Sequence, residues 1–220
     1  MSNVTVIIRS SPRTVRFATF KRLIDAHYRR VKALRQNTFR IIGGTHRGRR
    51  FTFPGDLTVR PSPDRVRETL FNWLQGVIPG ARCLDLFAGS GALGLEALSR
   101  GAAFACFVDA APRAVSAIRE HLGVLKEGAK AEVQVADVLA FLRVPPARAF
   151  DVVFLDPPYA AGLLEPACAA LQRNGWLAPG ARVYLESDAA AELSPLPEGW
   201  QLLREGRAGQ VGYRLAAKTS

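Results

Sequence analysis

The run Asp156-Pro157-Pro158-Tyr159 puts a carboxylate, two backbone-fixing rings and an aromatic face within four residues. It follows the apolar run Val152 to Leu155, which reads as a buried strand delivering Asp156 at its end. Proline fixes φ and has no N–H, so the turn offers carbonyl acceptors in a stiff arrangement. The chemistry suited to such a turn is on an amine attached to a planar ring. If the Asp156 side chain and the Pro157 carbonyl accept its two hydrogens, the nitrogen becomes more pyramidal and its lone pair is freed to attack. Positioning and electrostatics supply the rate, with no strong base or metal required. Tyr159 adds a π-face on which an extruded base can stack, worth about 1–3 kcal/mol. The catalytic candidates are therefore Asp156, Pro157 and Tyr159. The competing reading is a rigid loop with an exposed aromatic.

A second constellation lies upstream. Gly89-Ser90-Gly91-Ala92-Leu93-Gly94 matches G-x-G-x-x-G between a strand-like run and a helix-like run, and Asp109 follows it. Dinucleotide and S-adenosylmethionine sites share this pattern. Glycines let the backbone approach a ligand, and Asp109 can accept from two ribose hydroxyls. Asp85 separates the two classes, because a carboxylate there opposes a pyrophosphate on the helix N-terminus but suits a cationic ammonium. Asp137, after the third strand, is placed to accept from an adenine amino group. The cofactor candidates are Asp85, Ala88, Gly89, Ser90, Gly91, Asp109 and Asp137, and the cofactor is S-adenosylmethionine without metal. Helix capping is the alternative for the aspartates.

These turns need elements to carry them. From Cys83-Leu84-Asp85-Leu86-Phe87 onward, strands and helices alternate. Helices are expected at Ala92–Ser99, from about Pro112 to Lys126 and from about Leu163 to Gln172. Strands are expected at Phe104–Val108, Val133–Val135, Val152–Leu155, Val183–Leu185, Trp200–Arg204 and Val211–Leu215. Such alternation implies an α/β, Rossmann-like parallel sheet with helices on both faces and ligands at the carboxyl ends of the strands. Ahead of it, Phe39–Gly44 and Phe51–Phe53 read as a hairpin, and Ser62 and Pro63 as the N-cap and first position of a helix. Val66, Leu70, Phe71 and Leu74 form that helix's buried face. The division expected is a basic extension over 1–38, a hairpin and helix over 39–80 and a catalytic domain over 81–218.

The net charge is +11, of which residues 1–38 hold nine basic side chains against the single acid Asp25. A polyanionic partner is implied, though the rest of the chain carries only +3. The tail reads as an RNA-binding arm, an organellar presequence or an upstream extension with Val31 as an alternative start. The hairpin loop adds His46, Arg47, Arg49 and Arg50, able to grip RNA phosphates if it faces the ligand. No apolar run of membrane-spanning length occurs, and the scattered Cys83, Cys106 and Cys168 make neither a disulfide framework nor a zinc site. A cytoplasmic setting follows.

Two segments closely resemble the bacterial ribosomal small-subunit methyltransferase D family: RPSPDRVRETLFNWL (Arg60 to Leu74) and DLFAGSGALGLEALSRG (Asp85 to Gly101). RIIGG (Arg40 to Gly44) and AGQVGYR (Ala208 to Arg214) are similar to it as well, so the likeness spans about 39–216. The resemblance implies methylation of the N2 amine of one guanine in 16S rRNA, guanine 966 in the family's usual description. It also implies S-adenosylmethionine as donor and a class I methyltransferase sheet of seven strands, mostly parallel with the last antiparallel. A small ribosomal subunit or its assembly intermediate is the implied substrate, the enzyme is expected as a monomer, and Arg60 is expected to close over the cofactor. Asp109 stands where the family commonly has a longer glutamate.

Rivals remain on residue grounds. A DNA adenine-N6 methyltransferase shares the turn but needs a target-recognition region for which little chain is left. A protein-glutamine methyltransferase usually has Asn in place of Asp156. An RNA-binding assembly factor with a dead cofactor site would not keep these residues. An NAD-dependent oxidoreductase is disfavoured by Asp85.

Overall fold

The computed structural model describes residues 36–54, 63–191 and 195–219. Residues 1–35 of the extension expected over 1–38, Arg60 and the Ser62 N-cap lie outside the described residues. Strands β1 (Gln36–Arg40) and β2 (Arg50–Pro54) form an antiparallel hairpin in register Phe39↔Phe51. It begins three residues before Phe39, so 36–38 are part of the hairpin.

Helix α1 (Asp64–Trp73) starts one residue later than expected. Pro63 sits at the N-cap with φ −51° and ψ 144°, and its carbonyl accepts from the Val66 and Arg67 amides. Extended ψ at a proline suits the half-in position, so Pro63 caps through its carbonyl rather than filling the first helical turn. The apolar face is the expected one: Val66, Leu70, Phe71 and Leu74 are all buried.

The remaining elements are β3 (Arg82–Leu86), α2 (Ala92–Ser99), β4 (Phe104–Asp109), α3 (Pro112–Leu125), β5 (Ala131–Val135) and α4 (Val138–Phe141). They continue with β6 (Phe150–Leu155), α5 (Leu164–Arg173), β7 (Leu177–Asp188), β8 (Trp200–Ala208) and β9 (Val211–Lys218). The seven-stranded sheet has order β5-β4-β3-β6-β7-β9-β8. β3 pairs in parallel with β4 and β6, whereas β9 is antiparallel to both β7 and β8. The expected sheet, with its last strand reversed, is the one observed.

Alternation along the strands divides the core into two layers. Cys83, Val152 and Phe154 face the hairpin and α1 to α3 side, while Leu84, Leu86, Val153 and Leu155 face α4 and α5. The chain order reverses between β3 and β6, so the crevice between their carboxyl ends is where an open α/β sheet admits ligands. One unread element is α4, only four residues long and capped by Asp137. β7 is far longer than Val183–Leu185, because Pro179 and Gly180 are absorbed next to a register shift on β6. Among the described residues, no helix is long and apolar enough to cross a membrane.

Candidate active site

The cofactor candidates converge on the carboxyl ends of β3, β4 and β5. Phe87, immediately after β3, has φ 60°, a left-handed backbone that is rare for a bulky residue and falls where the chain turns into the glycine loop. Gly89 and Gly91 follow with φ 52° and 75°. A Cβ on Gly91 would also lie 2.9 Å from Ile118 of α3, so only glycine fits. Gly94, in the first turn of α2, has no room either: a Cβ there would come within 2.2 Å of the Phe107 ring. The small side chains of Ala88 and Ser90 are buried beneath this turn.

The aspartates around it all hold backbone. Asp109 Oδ2 accepts from Gly89 N at 2.8 Å and Oδ1 from Ala111 N at 2.8 Å. The acid at the end of β4 thus clamps the glycine turn to the next helix. Each oxygen keeps a further acceptor site, so two ribose hydroxyls can still be received. Asp85 is 2% exposed, and its Oδ2 accepts from Gly94 N at 2.8 Å. Burial pushes its carboxyl up to about 8; Asp109 adds to the rise and the Gly94 N–H opposes it. Asp137 caps α4, accepting from Ala140 N at 2.8 Å. The alternative of holding backbone, posed for these aspartates by the sequence, is the one the hydrogen bonds show, and each carboxylate keeps further acceptor sites.

The Asp156 turn leaves β6 beside this cleft. Pro157 is buried, Asp156 is half-buried, and Tyr159 opens a single 3-10 turn over Tyr159–Ala161. Tyr159 is 42% exposed. Its hydroxyl donates to Glu186 Oε1 at 3.0 Å, and the buried Tyr184 hydroxyl donates to Glu186 Oε2 at 2.7 Å. Burial first, then the Glu186 and Asp156 carboxylates, pushes the Tyr159 hydroxyl well above its ordinary range, so it remains a donor. Behind the turn lies a cavity of about 480 Å³, bounded by Pro158, Tyr159, Leu164, Cys168, Leu185 and Arg214. No glycine-turn residue lines it.

Glu186 was missed because β7 was read as ending at Leu185; the available signal was an acid at a strand end, as at Asp109 and Asp156. Glu96 was missed too. Wholly buried in the apolar run of α2, it accepts from Ile42 N at 2.7 Å and Gly43 N at 2.8 Å, fastening the chain after β1. His121 of α3 likewise meets Thr52 O at 3.0 Å and packs on the Phe51 ring.

The hairpin loop goes elsewhere. Thr45 N donates to Ser99 O, His46 N donates to Ser99 Oγ, and the His46 ring lies 2.9 Å from Glu127 Oε1. Ser99 ends α2 and Glu127 follows the end of α3, so the loop is fixed at the amino edge of the sheet. Arg47, Arg49 and Arg50 are exposed there. The structure does not bring His46, Arg47, Arg49 and Arg50 together with the cofactor and turn residues, because the loop backbone is satisfied by the helix ends.

A family model described as "Conserved hypothetical protein 95" matches residues 39–217. The chain is 50% identical over 177 residues to the ribosomal RNA small subunit methyltransferase D of Escherichia coli, covering 80% of this chain and 88% of that protein. It belongs to that family. The Haemophilus influenzae protein of the same name is 44% identical over 178 residues, covering 80% of this chain and 92% of that one. A solved Escherichia coli structure described as a methyltransferase, yhhF, superposes with a TM-score of 0.74 at 45% identity, over 83% of this chain and 99% of that one. The chain is therefore a methyltransferase of the Rossmann-like class.

Proposed function

We propose that this enzyme transfers a methyl group from S-adenosylmethionine to the N2 amine of a guanine in 16S rRNA. The small ribosomal subunit, or an assembly intermediate of it, presents that guanine. The observation that carries the reading is the pairing of a carboxylate-clamped glycine turn with an Asp-Pro-Pro-Tyr turn at one switch point of the sheet. Relatives at 50% and 44% identity, named for ribosomal RNA, supply the acceptor class. We take the enzyme to be a monomer working in the cytoplasm.

The residues fit the donor. Positive φ at Gly89 and Gly91 opens the backbone, Asp109 retains acceptor capacity for ribose hydroxyls, and Asp85 supplies a carboxylate toward an ammonium. Asp137 has its second oxygen for an adenine amino group, and Arg60 is assigned to the cover of the cofactor by resemblance alone. S-adenosylmethionine supplies the electrophilic methyl when bound. The chain does the rest. Asp156 and the Pro157 carbonyl accept the two N2 hydrogens, Tyr159 stacks the extruded guanine, and the buried Pro157 ring keeps water from the amine.

Labelled methyl transfer to small subunits lacking the native modification, followed by nucleoside mass spectrometry, tests this. N2-methylguanosine is the expected product. Subunits left without N2-methylguanosine, with label entering the adenines of DNA in a parallel reaction, would overturn the reading.

A further inference from the structure

Tyr159 occupies an unusual mechanical position. The element carrying it is one 3-10 turn, followed at once by Gly162 in the left-handed region. Such a turn fixes the backbone path but leaves an exposed phenol free to rotate about its side-chain bonds. A base-stacking platform works only if its plane is set before the base arrives. The ring therefore needs an anchor other than packing.

Glu186 is that anchor by geometry. It is 2% exposed on β7, in the middle of the sheet, with its Oε2 held by the core hydroxyl of Tyr184 at 2.7 Å. Tyr184 is itself fully buried in the layer beneath α1. The other oxygen, Oε1, receives the Tyr159 hydroxyl at 3.0 Å. One end of the network is thus rooted in the rigid core and the other in the catalytic turn. A buried carboxylate is costly unless hydrogen-bonded, and here both oxygens accept from a phenol. Asp156 and Asp188 also act electrostatically on the Tyr159 hydroxyl, so three carboxylates crowd this edge. Retaining a third acid beside two others makes sense when it has a geometric task.

We propose that Glu186 is a positioning residue for base methylation: it holds the Tyr159 ring, through the phenolic hydroxyl, at the angle that receives the extruded base. The proposal rests on the reading of Tyr159 as a stacking platform. It adds a requirement that stacking alone does not make, since a phenylalanine stacks as well as a tyrosine but cannot reach Glu186.

The test is a double-mutant cycle on methyl transfer to unmethylated small subunits, using Tyr159→Phe, Glu186→Gln and the pair, with Tyr184→Phe as the reference. Each of the first two is expected to lower kcat about tenfold, with KM for the subunit and calorimetric cofactor affinity changed less than about twofold. The pair is expected to be no worse than the poorer single variant. Tyr184→Phe leaves the Glu186–Tyr159 bond in place and is expected to cost less than about threefold. Losses that multiply in the pair, or wild-type turnover in Tyr159→Phe, overturn the proposal. Should Glu186→Gln fail to fold, Tyr159→Phe against Tyr184→Phe decides alone. Asp156→Ala, assayed alongside, keeps the outcomes separable: if it is fully active the base reading itself fails, whereas an inactive Asp156→Ala with additive losses removes only Glu186.

Discussion

The two halves of the active edge hold their carboxylates in different ways. On the cofactor half, Asp85, Asp109 and Asp137 all accept from backbone amides, at Gly94, at Gly89 and Ala111, and at Ala140. On the acceptor half, Glu186 accepts from side-chain hydroxyls and Asp156 projects from a turn whose prolines have no N–H to give it. The first arrangement holds the loop with the same carboxylates that we propose for the cofactor. The second fixes the backbone with prolines and bonds its buried glutamate to side chains. Fold and function should therefore be inseparable by mutation at the cofactor half and separable at the acceptor half.

The strongest way to break that contrast is Asp156→Ala. We expect a loss of at least about 10²-fold in kcat, the scale for removing a positioned transition-state hydrogen bond. Cofactor affinity and melting temperature should stay close to wild type. A calorimetric titration and a thermal melt beside the transfer assay check all three, and a melting temperature that falls with activity would put Asp156 in the fold rather than the reaction.

Next comes pH at Asp85. Burial raises its carboxyl to about 8 in the ligand-free protein, so it is neutral over much of the physiological range. The sign for stability is then fixed: a carboxyl raised on folding favours the folded state at low pH and loses that contribution as pH climbs toward about 8. For a cationic ligand the sign reverses, since binding an ammonium favours the carboxylate. Cofactor affinity should rise with pH up to about 8, by up to roughly tenfold per unit, with proton release detectable in buffers of different ionisation heat. Asp85→Asn should flatten that rise, and an unaltered slope would remove Asp85 from the ammonium site.

Asp109→Ala should show both losses at once. Two backbone amides lose their acceptor, costing about 1 kcal/mol as for a helix cap, and cofactor affinity should fall about tenfold. Asp109→Asn, able to accept from one amide, should recover part of the melting temperature. Stability lost with affinity intact would mean that the ribose is bound elsewhere.

How legible this was depended on the length scale of each bond. The parallel sheet, the glycine turn and the Asp156 turn are written in local runs, and each lies where those runs place it. Capping by Asp85 was harder, because it joins a strand residue to an amide nine positions on, across a turn whose φ angles a sequence only suggests. Glu186 and Glu96 bond to partners 27 and 53 to 54 residues away, and no local period reports such distances. The placement of the arginine loop was the least legible of all. Its composition announces phosphate binding, yet its position is set by Ser99 and Glu127, at helix ends that only topology brings together.

That placement gives the smallest effect and the finest test of the contrast. Arg47, Arg49 and Arg50 lie exposed on the amino edge, where we propose that they meet RNA phosphates away from the reacting base. Neutralising all three should leave kcat unchanged, because nothing at the Asp156 turn moves. The weakening should appear in KM for the subunit and in its dependence on salt, with the slope of log affinity against log salt falling by roughly 0.7 to 0.9 for each phosphate no longer neutralised. His46 is predicted to behave differently from its neighbours. Its ring is paired with Glu127, so His46→Ala should lower the melting temperature without altering the salt slope. A salt slope untouched by the triple arginine change would confine the RNA footprint to the carboxyl edge. A fall in kcat instead would mean that the two edges communicate, which the separate bonding of the hairpin loop and the catalytic turn argues against.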